Sequence, residues 1–172
     1  MGWTQLIRVI PNFPVPGVLF RDILPVMADP AGFQDCLGTL EAMVRPLNPN
    51  VLMAPEARGF LLAAPLADRL KTGVVPVRKP GKLPGPVLSQ SYALEYGESR
   101  LEIEEGQELQ GQRVVIVDDV LATGGTVVAT AELAEQAGGV VVGFVFLIEL
   151  AELGGRGRLA KRAAQVFSAL LG

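Results

Sequence analysis

The sequence predicts an α/β fold with a mainly parallel sheet. Short apolar, β-branched runs alternate along the chain with helix-length segments, which is the pattern of strands joined by helical crossovers. The chain has 172 residues, a length suited to one domain whose core needs no disulfide or metal staple. Its 49% hydrophobic and 19% charged content is that of an ordinary globular chain, not a disordered or collagen-like one.

In chain order, Thr4 to Val9 is expected to open with a short helix, followed by a Pro-broken loop from Pro11 to Gly17. Asp29-Pro30 pairs a capping residue with Pro at the first helical position, so a helix is expected from Pro30 to about Arg45. Val51 to Ala54 reads as a short buried strand, Phe60 to Lys71 as a helix ending near Gly73, and Val74 to Arg78 as the next strand. Lys79 to Pro86 holds three Pro and two Gly in eight residues, the composition of a mobile loop. Ser89 to Tyr96 and Arg100 to Ile103 form a small antiparallel excursion. Val114 to Val117 is wholly apolar and β-branched-rich, which marks a central strand covered on both faces. A helix from Thr126 to Ala137, stopped by Gly138-Gly139, leads into a buried strand from Val140 to Ile148. The tail is expected to hold a helix around Arg158 to Ala164 and a last strand near Val166 to Leu170.

Composition removes several function classes. The chain has no His, which excludes His-dependent triads, His-ligated metals and imidazole proton shuttles. One cysteine, Cys36, excludes an internal disulfide and a Cys-cluster zinc site, and its apolar surroundings from Phe33 to Val44 suit a buried structural thiol. A net charge of −3 lacks the basic footprint of a general nucleic-acid binder. Uncharged runs such as Ala137 to Ile148, 12 residues, are too short to cross a bilayer. The opening residues carry no basic leader and no myristoylation pattern, so a soluble cytoplasmic enzyme is expected.

The chemistry concentrates in Arg113 to Thr126, R-V-V-I-V-D-D-V-L-A-T-G-G-T. A buried strand delivers Asp118 and Asp119 at its C-terminal end, and a turn of small residues, Ala122, Thr123, Gly124, Gly125 and Thr126, opens a helix. Ligands of open α/β sheets bind at strand C-termini, and the amides of a helix N-terminus suit a phosphate. The glycines let the backbone approach an anion, and the two Thr add hydroxyl donors. Neither the Walker loop nor the dinucleotide fingerprint is present. The competing reading is a plain strand–helix turn whose acids cap the helix.

This segment resembles the phosphoribosyl diphosphate (PRPP) signature of the type I phosphoribosyltransferases. F-P-V-P-G-V-L-F-R-D-I (Phe13 to Ile23), E-A-R-G-F (Glu56 to Phe60), V-R-K-P-G-K-L-P (Val77 to Pro84) and L-E-Y-G (Leu94 to Gly97) resemble the adenine-specific branch of that family, in the family's order. The similarity runs from about Phe13 to Leu150. It implies a type I phosphoribosyltransferase fold: a five-stranded sheet flanked by helices, one domain over residues 1–172, a small hood mainly from residues 1–28, and a mobile loop over about 79–97. The implied reaction converts adenine and PRPP to AMP and pyrophosphate with Mg²⁺, in a homodimer that needs neither nucleic acid nor membrane.

The resemblance also assigns roles. Asp118 and Asp119 would accept hydrogen bonds from the ribose hydroxyls, with a part in holding Mg²⁺ left open, and Ala122 to Thr126 would cradle the 5-phosphate. Glu56, Ala57 and Arg58, with a non-proline cis peptide at Glu56-Ala57, would face pyrophosphate together with Lys82. Glu95 matches the family's candidate proton-transfer residue, with Tyr96 as a hydrogen-bonding neighbour. Leu19, Phe20, Arg21 and Leu150 would recognise adenine, Phe20 by stacking and Leu19 and Arg21 through the main chain. The bland alternatives are a snorkelling Arg58, solvated Lys82 and Glu95, and core roles for Phe20 and Leu150. Two functional rivals stand beside this reading: a sister enzyme that takes a 6-oxopurine, and a non-catalytic PRPP-binding regulator.

Overall fold

The computed structural model describes residues 2–93 and 97–172. The chain divides into two compact units, residues 1–39 and 40–172.

In the first unit a 3₁₀ turn, Trp3–Leu6, precedes strand β1 (Arg8–Pro11), which pairs antiparallel with β2 (Leu19–Asp22). The expected opening helix is therefore one turn only, and Arg8 and Val9 are strand. The pairing ladder with β2 outweighs the weak local helical preference of a segment this short. Arg8 lies opposite Asp22 in register and bonds its carboxylate at 2.5 Å, while the other Asp22 oxygen accepts the Leu24 amide at 3.0 Å. That bond leads into a short helix α1 (Leu24–Ala28), which the sequence pattern does not single out. Asp29 behaves as the sequence predicts, its Oδ1 accepting the Gly32 amide at 2.7 Å at the start of α2 (Pro30–Val44). Cys36 is buried on α2, and burial pushes its thiol up to about 12, so it is an inert core group at neutral pH.

The second unit carries the sheet. Strand β3 (Val51–Pro55), helix α3 (Arg58–Leu70), β4 (Gly73–Val77), the hairpin β5 (Val87–Ala93) and β6 (Glu98–Glu104), β7 (Arg113–Leu121), helix α4 (Gly125–Gln136), β8 (Val140–Glu149), helix α5 (Gly155–Leu159) and β9 (Gln165–Leu171) follow one another. The five parallel strands stand in the order β4-β3-β7-β8-β9. The β5–β6 hairpin is the predicted antiparallel excursion.

Strand β7 is central, and its alternation explains its composition. Val114 and Ile116 join Met53, Phe144, Phe146 and the α4 residues Val127, Ala131 and Leu133 in one apolar cluster. Val115 and Val117, on the opposite face, are fully buried as well. Two boundaries differ from the sequence reading. Helix α3 starts at Arg58, two residues ahead of Phe60, and closes at Lys71 as expected, with Lys71 and not Gly73 making the stop: Lys71 takes the left-handed conformation, φ 58°, and the Thr72 amide reaches back to the Ala67 carbonyl at 3.0 Å. The tail helix occupies Gly155–Leu159 rather than the region around Arg158 to Ala164, because the doublet Gly154-Gly155 supplies the turn that starts it early.

Parallel pairing brings the strand C-termini to one edge. Pro55 is opposite Val77, Ile116 is opposite Met53, and Leu121 is opposite Glu149. The segments that follow, Glu56 to Arg58, Arg78 to Lys82, Ala122 to Thr126 and Leu150, therefore leave the sheet at the same edge, where open α/β sheets bind ligands.

Candidate functional site

Strand β7 runs on to Leu121, so Asp118 and Asp119 lie within it and not past its end, as the apolar run alone suggests. Asp119 is 5% exposed and its carboxylate is bonded by the Arg58 Nε, the first residue of α3. Asp118 Oδ1 accepts the backbone amide of Asp119 at 2.8 Å. Removal from water, and after that the neighbouring Asp119 charge, push the Asp118 carboxyl well above the ordinary carboxylate range. Two acids and one half-exposed guanidinium thus stand together, and because a nearby positive charge favours ionisation of the raised Asp118 carboxyl, the site suits a substrate carrying hydroxyl donors and a developing cation.

Helix α3 reaches this pair because its second residue is Gly59. A Cβ there would stand 3.1 Å from Asp118 Oδ1, 3.1 Å from the Val117 carbonyl and 3.3 Å from the Ala54 Cβ. Ahead of α3, the Glu56-Ala57 peptide is cis, as the resemblance implies. The Glu56 carboxylate is occupied, accepting the Lys79 amide at 2.9 Å and the Arg78 Nε at 2.9 Å, and these bonds hold its pKa below the usual range. Glu56 therefore ties the ends of β3 and β4 together through its own carboxylate.

The turn after β7 makes a pocket of about 80 Å³ lined by Asp118 and by residues 120–127. Gly124 has φ +84° and is the N-cap of α4, with no side chain capping the helix amides. A 12-residue helix thus begins at this pocket, with its first residues Gly125, Thr126 and Val127 in the lining and its positive end toward it, an arrangement suited to phosphate. The competing reading of Asp118 and Asp119 as helix caps is not what the geometry shows, since both sit in the strand and bond elsewhere.

Two residues that the sequence does not mark bear on the turn and on the loop of Lys82. Tyr92 of β5 lies beside it, its hydroxyl accepting from Thr126 Oγ1 at 3.4 Å and its ring filling the space a Cβ on Gly125 would need. Glu102, 4% exposed on β6, pairs with Arg100 and accepts the Gly81 amide at 3.1 Å, so it anchors the loop that carries the exposed Lys82. No local signal marks Tyr92 or Glu102, because one is an aromatic in a strand and the other an acid in an alternating run.

The remaining predicted residues fall into three groups. Leu150 follows β8, half-buried, with its amide on the Leu121 carbonyl at 2.9 Å. Leu19, Phe20 and Arg21 belong to β2 in the first unit. There, residues 19 and 21, two apart, turn their backbone groups to the same strand edge, and Phe20 meets Phe13 edge-on with ring centroids 5.1 Å apart. Glu95 and Tyr96 lie outside the described residues. Among the described residues there is no cluster of three or more metal-ligating side chains.

Comparison with known proteins agrees with this geometry. The sequence profile of the phosphoribosyl transferase domain matches residues 28–169. The chain is 56% identical over 157 residues to adenine phosphoribosyltransferase of Synechococcus sp. (strain JA-3-3Ab), covering 91% of this chain and 90% of that protein. Among solved structures, adenine phosphoribosyltransferase of Thermoanaerobacter pseudethanolicus superposes with a TM-score of 0.94 at 48% identity, covering 98% of this chain and 97% of that one. The Saccharomyces cerevisiae enzyme, solved with an imino-altritol bisphosphate and adenine, superposes with a TM-score of 0.91 at 37% identity, covering 97% of this chain and 96% of that one.

Proposed function

The chain belongs to the phosphoribosyl transferase family, and from that membership and its site we infer that it transfers the 5-phosphoribosyl group of PRPP to adenine, giving AMP and pyrophosphate. The observation that carries this reading is the union of the Asp118–Asp119 pair with the phosphate-sized turn at the start of α4, on one strand. Relatives named for adenine, at 56% and 48% identity, favour that base over a 6-oxopurine. They also favour an enzyme over a PRPP-binding regulator.

The ribose hydroxyls donate to Asp118 and Asp119, and the amides of Ala122 to Thr126 with the Thr123 and Thr126 hydroxyls hold the 5-phosphate. The bond from C1 to the pyrophosphate oxygen breaks with its electron pair leaving on pyrophosphate, and N9 of adenine bonds to C1. Cationic charge that grows on the ribose faces the two carboxylates. The negative charge that moves onto pyrophosphate faces Arg58, the backbone of residues 56–58 and Lys82. Arg58 lies between the two ends of the reaction, since it already holds Asp119. The proton that adenine gives up, from N7 or N9, goes to Glu95, with Tyr96 as its hydrogen-bonding neighbour. Phe20 offers its ring to the purine, Leu19 and Arg21 read the amidine edge through the main chain, and Leu150 supplies an apolar wall.

Asp118 and Asp119 are hard oxygen donors of the kind Mg²⁺ takes one or two at a time alongside substrate phosphates, so the donor set fits a Mg²⁺ that arrives with PRPP. When bound, that ion offsets the charge of the departing pyrophosphate. Residues 1–28 as a hood, the loop of residues 79–97 as a lid, a homodimeric assembly and a cytoplasmic location belong to the same reading. No helix of the described chain is long and apolar enough to cross a membrane.

The test is direct. The protein is incubated with PRPP, Mg²⁺ and each purine base in turn, and nucleotide formation is followed by absorbance. AMP formation from adenine supports the reading, and turnover confined to hypoxanthine or guanine moves the chain to the sister activity.

A further inference from the structure

The tail after Leu150 carries no predicted role, yet it packs against the back of the phosphate turn. From Leu150, whose amide bonds the Leu121 carbonyl, a 3₁₀ turn (Ala151–Leu153) leads to Gly154 at φ +69° and then to buried Gly155. A Cβ on Gly155 would lie 2.2 Å from the Ala122 carbonyl oxygen, 2.9 Å from the Leu121 Cδ1 and 3.1 Å from its Cγ. The contact is mutual, since a Cβ on Gly124 would lie 3.2 Å from the Gly155 carbonyl oxygen and 3.3 Å from its Cα. Bare backbone therefore meets bare backbone directly behind the residues that face the 5-phosphate. No side-chain rotation can relieve a clash with a carbonyl oxygen, so anything larger than hydrogen on Gly155 must displace the turn.

The next residue fixes this wall. Arg156 bonds Glu149 bidentately, Nε to Oε1 at 2.8 Å and Nη2 to Oε2 at 2.5 Å, and reaches the Val166 carbonyl at 3.0 Å and Ser168 Oγ at 3.2 Å. Ser168 Oγ closes the network by donating to Glu149 Oε2 at 2.6 Å. Glu149 is 4% exposed, and in the sheet it stands opposite Leu121, the last residue before the turn. The network thus ties α5 to β8 and β9 beside the exit of β7, and a planar five-donor fork suits this work better than an ammonium does.

We propose that Gly155 is a positioning residue for the 5-phosphate, its bare Cα forming the back wall of the Ala122–Gly124 turn, with the Arg156–Glu149–Ser168 network holding that wall in place. The proposal rests on the phosphoribosyl reading for the identity of the anion. It assigns a purpose to a segment outside the motif, and it joins the base-facing Leu150 and the phosphate turn through a stretch of only six residues, 150–155.

The test uses ligands that differ in the group the turn would hold. Calorimetric affinities for ribose 5-phosphate, AMP and inorganic pyrophosphate are measured for wild type, Gly155→Ala, Arg156→Lys and Gly157→Ala, the last a control whose added Cβ meets nothing within 4 Å. Gly155→Ala is expected to weaken ribose 5-phosphate and AMP at least tenfold while pyrophosphate stays within twofold, and to raise the KM for PRPP with kcat within threefold. Arg156→Lys, which adds no atoms to the wall and keeps the charge, gives the same selective loss at about three- to tenfold and carries the test should Gly155→Ala not fold. Gly157→Ala matches wild type. Equal weakening of pyrophosphate, or unchanged ribose 5-phosphate affinity in a folded Gly155→Ala protein, overturns the proposal. A wild-type protein that binds ribose 5-phosphate but forms no nucleotide from PRPP and any purine base would overturn the reaction assignment alone.

Discussion

Replacing Asp118 and Asp119 one at a time by Asn should move stability in opposite directions while both changes lower activity. Asp119 is 5% exposed and paired with Arg58, whose side chain is 45% exposed. A hydrogen bond to a charged group is worth about 1.5–3 kcal/mol. Here the half-exposed Arg58 recovers part of that from water, and losing the Asp119 charge relieves Asp118, which leaves a net loss of about 1 kcal/mol. In a chain of this size that is a Tm drop of about 2–4 °C. Asp118 is the reverse case. Burial and the Asp119 charge raise its carboxyl above its ordinary value of 3.8, so the folded protein holds that proton more tightly than the unfolded chain does. Stability therefore falls as pH rises past the unfolded value and stays reduced above the folded one. Asn keeps the acceptor for the Asp119 amide and carries no charge, so Asp118→Asn should melt above wild type at pH 7, and the gain should vanish below about pH 3.8. Thermal melts in chelating buffer from pH 3 to 8 measure this. On the proposed reading each change also removes an acceptor for a ribose hydroxyl, about 10- to 100-fold in turnover, and together about 10²–10⁴-fold. A lowered Tm for Asp118→Asn at pH 7 would refute the charge argument. Retained turnover in the double variant would return both acids to a structural role.

Other expectations follow from the same site. Adenine should exceed hypoxanthine and guanine by at least about 100-fold in kcat/KM, about 2.7 kcal/mol, because a 6-oxopurine would reverse donor and acceptor against the backbone edge proposed for Leu19 and Arg21; comparable rates would remove the base assignment. Glu95→Gln should lower the single-turnover rate by about 10²–10⁴-fold with little change in the KM for PRPP, and a rate within about threefold of wild type would reject Glu95 as the proton acceptor. The bonds from Arg156 and Ser168 hold the Glu149 carboxyl below its ordinary value of 4.5. Its contribution to stability is therefore present above about pH 4.5 and lost as pH falls through the lower folded value, so Glu149→Gln should flatten the acid limb of the Tm–pH curve. An unchanged limb in that variant would place the acid sensitivity elsewhere.

The local code of this chain is strong wherever one segment carries its whole reason. The apolar run at Val114 to Val117 marks a central strand, Asp29-Pro30 marks a helix start, and the small residues Ala122 to Thr126 mark a tight turn from strand to helix. The parallel sheet follows from the alternation of such runs, because parallel neighbours require crossovers that the intervening helices supply. What the sequence could not contain is who meets whom at the end of that sheet. Arg58 and Asp119 are 61 residues apart and become an ion pair only when α3 docks on β7, which Gly59 permits by having no Cβ. Nothing in the sequence shows that the Glu56 carboxylate takes bonds from Arg78 and Lys79, more than twenty residues on. Gly155 reads as an ordinary turn glycine until the Ala122 carbonyl is found where its side chain would be. Residue type and spacing are written in one dimension and suffice for elements whose energetics are local. Close approach between distant backbones, and the pairing of charges that burial enforces, exist only once the chain has packed.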